Sequence, residues 1–271
     1  MKIGISFGTI NGSERFYKAM QSVRDAGDDF AAVVLVDDGS CERELQILRE
    51  LCKHYEVEFR EHRRNMGISA TWNHGIAYLG EKGCDLVVVC NDDIKVTKGW
   101  LKAIEFFYEN NPLVGMVGLH ARVDGKLVCT DNNIKKYEGE VDFSVPHRGL
   151  CANGFCFSVD YGLWKDLNYF DEGYQSFYEE LDLGCHMAGR GIFSYNIPWP
   201  VIEHEWGSTF SQNPNLLAEI RMKKSKERFM EKWGGEMPQM YEKYVSFNSS
   251  MEMTWLQDGE VKRGRPVNVI R

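Results

Sequence analysis

The sequence predicts an α/β protein with a mostly parallel sheet in its first half and a mixed, differently built second half. Three observations carry that expectation. Short β-branched runs alternate with segments whose apolar residues recur every three or four positions. The alternation holds to about residue 120 and then gives way to turn-rich sequence. Acidic or glycine-rich stretches follow the strand-like runs, which is where open α/β sheets bind ligands.

In chain order, the strand segments are Lys2 to Phe7, Ala31 to Val36, Glu56 to Arg60, Asp85 to Cys90 and Val114 to Leu119. Between them, helical spacing covers Ser13 to Arg24, Glu42 to Tyr55, Ile68 to Leu79 and Lys98 to Tyr108, with Ser13 and Thr97 expected as caps. Strand, helix, strand order of this kind implies right-handed crossovers and parallel neighbours. Further on, Asp124-Gly125-Lys126 reads as a hairpin tip and Glu179 to Ala188 as a helix. Leu216 to Trp233 is a strong helix whose Arg221, Lys223, Lys224, Lys226 and Arg228 read as a solvated face. No repeat or low-complexity linker separates the halves, so residues 1–120 and 121–245 are expected to share one compact domain. Residues 246–271 have weak periodicity and four basic residues after Val261, the pattern of a mobile or partner-packed extension.

Composition narrows the function. With 271 residues, 43% apolar, the chain is long enough for a substantial core. A formal charge of −8 gives no general attraction to nucleic acid or an anionic membrane. No run of 18 apolar residues occurs, and the first residues read as a strand rather than an export signal, so a cytoplasmic location is expected. The eight cysteines show no C-x-x-C spacing and read as reduced core thiols.

Five stretches could carry chemistry. Asp37 and Asp38 end the second strand segment in Val36-Asp37-Asp38-Gly39-Ser40; carboxylates there could accept from a nucleobase and ribose hydroxyls, or serve only as turn and cap. Gly67 and the small residues after Asn65, as far as Asn73, suit close approach of a ligand to a helix start, with Arg63 and Arg64 as candidates for a diphosphate. Asn91-Asp92-Asp93 stops an apolar core strand, and carboxylates there need donors or a hard cation such as Mg²⁺ or Mn²⁺. Glu179, Glu180 and Asp182 open a helix among Phe177, Tyr178 and Leu181; capping explains one acid, and a general base is the natural role for another. His204, after the apolar segment Ile197 to Ile202, is either structural or a metal ligand.

Taken in order, LVDDGS, RNMGISATWNHG, VVVCNDDI, ANGFCFSV, FDEGYQSFYEELDL, HEWGST and ERFMEKWGG resemble the family 2 glycosyltransferases of GT-A fold, the group that contains bacterial rhamnosyltransferases, over about residues 3 to 235. The resemblance implies a Rossmann-like nucleotide-binding sheet fused to a mixed acceptor-binding half, and an inverting transfer of a hexosyl or deoxyhexosyl group from a nucleotide-diphosphate sugar. It implies that Thr9, Asp37 and Asp38 hold the nucleoside, together with Asn65, Gly67, Asn73 and Asp92 around the nucleotide. Asn91 and Asp93 take the first and third places of the family's D-x-D motif and His204 its late metal-binding histidine, for Mn²⁺ or Mg²⁺. Glu180 holds the place of the catalytic base, with Asp182 as runner-up, and His186 replaces an arginine usual in that helix. Glycan, lipid-linked or other hydroxyl acceptors remain open, as does self-association into a homo-oligomer. A non-catalytic sugar-nucleotide or glycan-binding protein and a sugar-phosphate nucleotidyltransferase are the competing classes; Gly8-Thr9-Ile10-Asn11-Gly12 lacks the arginine-containing glycine loop of the latter.

Overall fold

The computed structural model describes residues 1–123, 125–128, 142–205, 207–214, 217–234 and 251–268. The first half forms β1 (Ile3–Thr9), α1 (Ser13–Ala26), β2 (Ala32–Asp37), α2 (Glu42–Tyr55), β3 (Glu58–Glu61), α3 (Ile68–Glu81), β4 (Leu86–Asn91), β5 (Ile94–Lys95), α4 (Trp100–Asn110) and β6 (Val114–Val123). Each strand and helix expected there is present. The second half adds β7 (Lys126–Val128), β8 (His147–Gly149), β9 (Cys156–Asp160), α5 (Tyr161–Asp166), α6 (Glu179–Gly189), β10 (Phe193–His204), α7 (Ser208–Gln212) and α8 (Ala218–Trp233), then β11 (Met253–Gln257), β12 (Glu260–Gly264) and β13 (Val267–Asn268).

The central sheet runs β13-β8-β10-β6-β9-β4-β1-β2-β3, with β5 on β10 and β7 on β6. β3, β2, β1 and β4 are mutually parallel, as the crossovers require. β9 then runs antiparallel between β4 and β6, so β6 keeps the direction of β4 but stands two places away from it. Chain order reverses between β1 and β4, so α3 must cross back over the sheet to reach β4. It does so closely: a Cβ on Gly75 would collide with the Ser6 hydroxyl on β1. β1, covered on both faces and both edges, is buried along its whole length.

Two helix starts differ from the sequence expectation. Ser13 is the first residue of α1 rather than a side-chain cap, and its N–H donates to Glu44 Oε2 on α2 at 3.0 Å. Thr97 does not cap α4 with its side chain; Asp28, far away in sequence, accepts from the N–H groups of Gly99 (2.8 Å) and Lys102 (3.4 Å). Carboxylates from distant segments satisfy these orphan donors, which a local capping rule does not see. The β6–β7 hairpin forms with Val123 opposite Lys126 and Gly125 at φ +74°, while Asp124 of its expected tip lies outside the described residues.

The described part of the tail is packed, in contrast to the mobile or partner-packed extension expected. Met253 and Trp255 share one face of β11 and are buried. Asn111, at the end of α4, donates through Nδ2 to the Thr254 carbonyl (2.7 Å) and accepts from the Thr254 N–H (2.8 Å). β13 then adds in parallel to β8. All seven described cysteines are free thiols and only Cys41 is exposed. No helix among the described residues is long and apolar enough to cross a membrane. Replacing Asn111 by Ala removes both tail bonds and leaves two backbone groups unpaired; we expect a loss of about 1–3 kcal/mol in urea unfolding and faster proteolysis of the tail. An unchanged unfolding midpoint with an unchanged digestion pattern refutes that role.

Candidate active site

The carboxyl ends of β1, β2 and β4 stand level, because Gly8 is in register with Asn91 and Thr9 with Asp37. A cleft of about 360 Å³ opens there, where the strand order reverses. It gathers Thr9, Asp38, Asn65, Asn91, Asp92, Asp93, Glu180 and His204 from the residues singled out in the sequence. Asp37, Gly67, Asn73 and Asp182 do not line it.

Asp92 is 2% exposed, and its charge is answered by Arg15 from the first turn of α1, itself 4% exposed. Arg15 Nε donates to Oδ1 at 2.9 Å and Nη2 to Oδ2 at 3.1 Å, while the Thr9 hydroxyl donates to Oδ2 at 2.5 Å. Burial pushes the Asp92 carboxyl above the usual range, and the arginine opposes that shift. The same guanidinium donates to the Ile10 carbonyl and to Gln212 at the end of α7. Gly12 lets the chain pass over this pair, since a Cβ there would strike the Asp92 carboxylate. Arg15 is missing from the sequence-based site, although it falls on the buried stripe of α1 with Ala19 and Val23, where a lone arginine demands a partner.

Asp93 faces the other way along the same loop. β5 pairs with β10 so that Ile94 is opposite His204, and the Glu205 N–H donates to the Asp93 carbonyl at 3.0 Å. His204 Nε2 consequently lies 3.3 Å from Asp93 Oδ1, both side chains being buried, and Phe155 stacks on the imidazole at 4.3 Å. Among the described residues no group of three or more His, Cys, Asp or Glu side chains can hold a metal ion alone. Asn91 lines the same cleft as this pair, and carboxylate, imidazole and amide side chains are the oxygen and nitrogen donor types that divalent cations accept.

The paired aspartates after β2 hold the neighbouring loops. Asp37 is fully buried and accepts from the Gly39 and Ser40 N–H groups, each at 3.0 Å, and from the Ser40 hydroxyl. Asp38 accepts from Met66 N–H (2.7 Å), Gly67 N–H (2.9 Å) and Asn65 Nδ2 (2.6 Å), and meets His62 Nδ1 at 2.9 Å. It thereby fixes the start of α3 while remaining on the cleft wall. Gly67, at φ +96°, packs against the Gln175 backbone, and Asn73 bridges to Phe170 and Glu172. Arg63 and Arg64 line a separate groove rather than the cleft.

The acidic helix α6 splits its carboxylates between two sides. Glu179 and Glu180 line the cleft, whereas Asp182, two positions on, points across the helix to α8. There it accepts from Trp233 Nε1 (2.7 Å), Lys232 Nζ (2.9 Å) and the Tyr174 hydroxyl (3.2 Å). Phe177 and Tyr178 precede the helix at φ +70° each, a conformation that non-glycine residues adopt at a cost of about 1–3 kcal/mol and that clusters at functional sites. Phe177 stacks on Phe210 at 5.4 Å along the cleft, while Tyr178 packs on Phe229. Arg221, expected on a solvated face, instead lines the cleft and donates to Asn65 Oδ1 at 2.7 Å; desolvation lowers its pKa. Its place on α8 above the buried Ser225 and Phe229 was the available signal.

The mixed sheet, with its cleft where the strand order reverses, has the GT-A glycosyltransferase fold. The Glycosyl transferase family 2 model matches residues 8–163, more than half of the chain, and the chain belongs to that family. It is 22% identical over 203 residues to the low-salt glycan biosynthesis hexosyltransferase Agl10 of Haloferax volcanii, covering 64% of this chain and only 59% of that protein. Among solved structures, it resembles the mannosyltransferase PcManGT from Pyrobaculum calidifontis in complex with GDP-Man and Mn²⁺ (TM-score 0.59, 13% identity, 78% of this chain and 59% of that one). S. aureus TarS 1-349 in complex with UDP-GlcNAc is a second fold neighbour (TM-score 0.55, 17% identity, 78% and 61%).

Arg15→Leu strands the buried Asp92 carboxylate and should cost about 3–5 kcal/mol of stability. Adding Asp92→Asn should return a large part of that loss in urea unfolding. If the double variant is as unstable as the single one, the pair is not what holds these segments together.

Proposed function

We propose that this protein is an inverting glycosyltransferase that moves a hexosyl or deoxyhexosyl group from a nucleotide-diphosphate sugar to an acceptor hydroxyl. The observation that carries the reading is one cleft joining Asp93 and His204 to Glu180 at the carboxyl ends of β1 and β4, in a chain of family 2. Residues 1–120 supply the nucleotide side, with Thr9, Asp38 and Asn65 as walls of the nucleoside end; residues 121–245 supply the base and the acceptor side. Asp93, His204 and Asn91 would hold Mn²⁺ or Mg²⁺, which offsets the charge of a departing diphosphate. Glu180 takes the proton from the acceptor hydroxyl onto a carboxylate oxygen as the new bond to the anomeric carbon forms and the bond to the diphosphate breaks. One such displacement inverts the centre. Phe155, Phe177 and Phe210 form an apolar wall that limits water, the competing acceptor. The buried free thiols suit a reducing, cytoplasmic setting.

Under this reading, binding of a nucleoside diphosphate should require Mn²⁺ or Mg²⁺, and calorimetry in excess chelator should show it weakened at least tenfold. Asp93→Ala should abolish the metal effect at little cost in stability, whereas Asp92→Ala should act mainly on stability through Arg15. Metal-independent binding and turnover would overturn the ligand assignment.

Glu180→Gln keeps the shape of the side chain and removes its proton acceptor, so turnover should fall by about 10²- to 10⁴-fold with donor binding retained. Near-normal turnover in that variant, together with loss in Asp182→Asn, would move the base to the other side of α6.

A further inference from the structure

Behind the loop that carries Asn65 lies a second concavity of about 960 Å³, larger than the catalytic cleft. The two share a wall: Asn65 lines the cleft, while His62, Arg63, Arg64 and Met66 line the groove. Its far side is an aromatic row. Tyr161 stacks on Trp164 at 5.8 Å with an interplanar angle of 26°, and Trp164 meets Tyr169 at 4.4 Å. Trp164 is buried and serves as the base of the row, whereas Tyr169 is 44% exposed. The backbone holds that ring outward at some cost, since Asn168 and Tyr169 both have positive φ (+63° and +72°).

The charges on the rim select among ligands. Glu61, Glu81 and Glu172 are balanced by Arg63, Arg64 and Lys165, so the groove offers no field that would gather a polyanion or a polycation. Burial lowers the pKa of His74 on the groove wall, so that imidazole adds no charge at neutral pH. An exposed aromatic ring among planar hydrogen-bonding side chains, without net charge, matches a neutral, hydroxyl-rich ligand that presents C–H faces to the ring and hydroxyls to the rim.

We propose that this groove is a non-catalytic saccharide-binding site, which holds a neutral oligosaccharide segment on the other side of the 62–66 loop from the reaction centre. It rests on the proposed transferase activity only for its purpose, which is to retain a glycan acceptor near the cleft; binding at the groove stands by itself. Tyr169 supplies the stacking face and is the specificity-determining contact.

The experiment is titration of the full chain, saturated with a nucleoside diphosphate and Mn²⁺, with neutral tetrasaccharides of the gluco, manno, galacto and N-acetylglucosamine series. We expect at least one to bind with millimolar or better affinity, Tyr169→Ala to weaken it at least tenfold, and Tyr169→Phe, which keeps the ring, to retain it. Nucleoside diphosphate affinity should be the same in all three proteins, which also reports that the variants are folded. Absence of binding by every tetrasaccharide, binding indifferent to Tyr169→Ala, or tighter binding of a sulfated polysaccharide than of any neutral glycan each overturns the proposal. Loss of diphosphate binding or turnover with saccharide binding intact would instead count against the transferase reading and leave the groove assignment standing.

Discussion

The buried ion pair between Arg15 and Asp92 is the constraint around which the cleft is arranged. Each charge alone would cost several kcal/mol to remove from water, and the pair is offset by two hydrogen bonds between Arg15 and Asp92 and a third to Asp92 from the Thr9 hydroxyl. Arg15 reaches Asp92 and the Ile10 carbonyl, and Gln212 closes its remaining side, so one guanidinium joins the first helix, the loop after β1, the end of β4 and the segment leading to α8. The contact thus ties the N-terminal segment from Ile10 to Arg15 to two segments far away in sequence, at Asp92 and Gln212. Asn213 extends the same junction, because Asn11 donates to its side chain and it donates to the Thr209 carbonyl.

Asp38 plays the corresponding part on the other wall. Its four contacts place the start of α3 and, through Asn65, the contact with Arg221 on α8. Both anchors are carboxylates at strand ends answered by donors from the protein itself. The cleft walls are thus held by the protein's own hydrogen bonds, the preorganisation that the proposed transfer would use. Asp37 differs from its neighbour: it closes the turn into α2 and leaves the cleft to Asp38.

The first four strand and helix units were legible in the sequence because each has a period that only one element type satisfies. What the pattern could not show was adjacency. β9 is a short apolar strand with nothing local to say that it lies between β4 and β6, since pairing is set by the whole sheet. The helix starts of α1 and α4 failed for a related reason: Glu44 and Asp28 act across the fold. In the site, Asn91, Asp93, His204 and Glu180 were visible as residue types at strand and helix ends. Arg15 and Arg221 were not, because a basic residue on a helix is usually solvated and its partner lies on another element. The tail hairpin escaped because the three buried residues of β11, Met253, Trp255 and Leu256, are too few and too irregularly spaced to make a period.

The same ion pair bears on why an asparagine can stand at the first position of the N-D-D segment. If both Asp92 and Asp93 faced the cleft uncompensated, beside Glu179 and Glu180, four carboxylates would share one partly desolvated space, and their repulsion would raise their proton affinities. Arg15 removes Asp92 from that sum, Asn91 adds no charge, and Asp93 stands against a histidine. Among the three residues of the proposed donor set, Asp93 is therefore the one that brings a formal negative charge. A divalent cation there is left with positive charge to be matched by phosphate oxygens, so on the proposed reading the strong ligand for the cleft is the cation and nucleotide together rather than either alone. On the same reading, a more acidic motif would favour the free cation, whereas the neutral asparagine and the internally paired aspartate favour cation and nucleotide bound together.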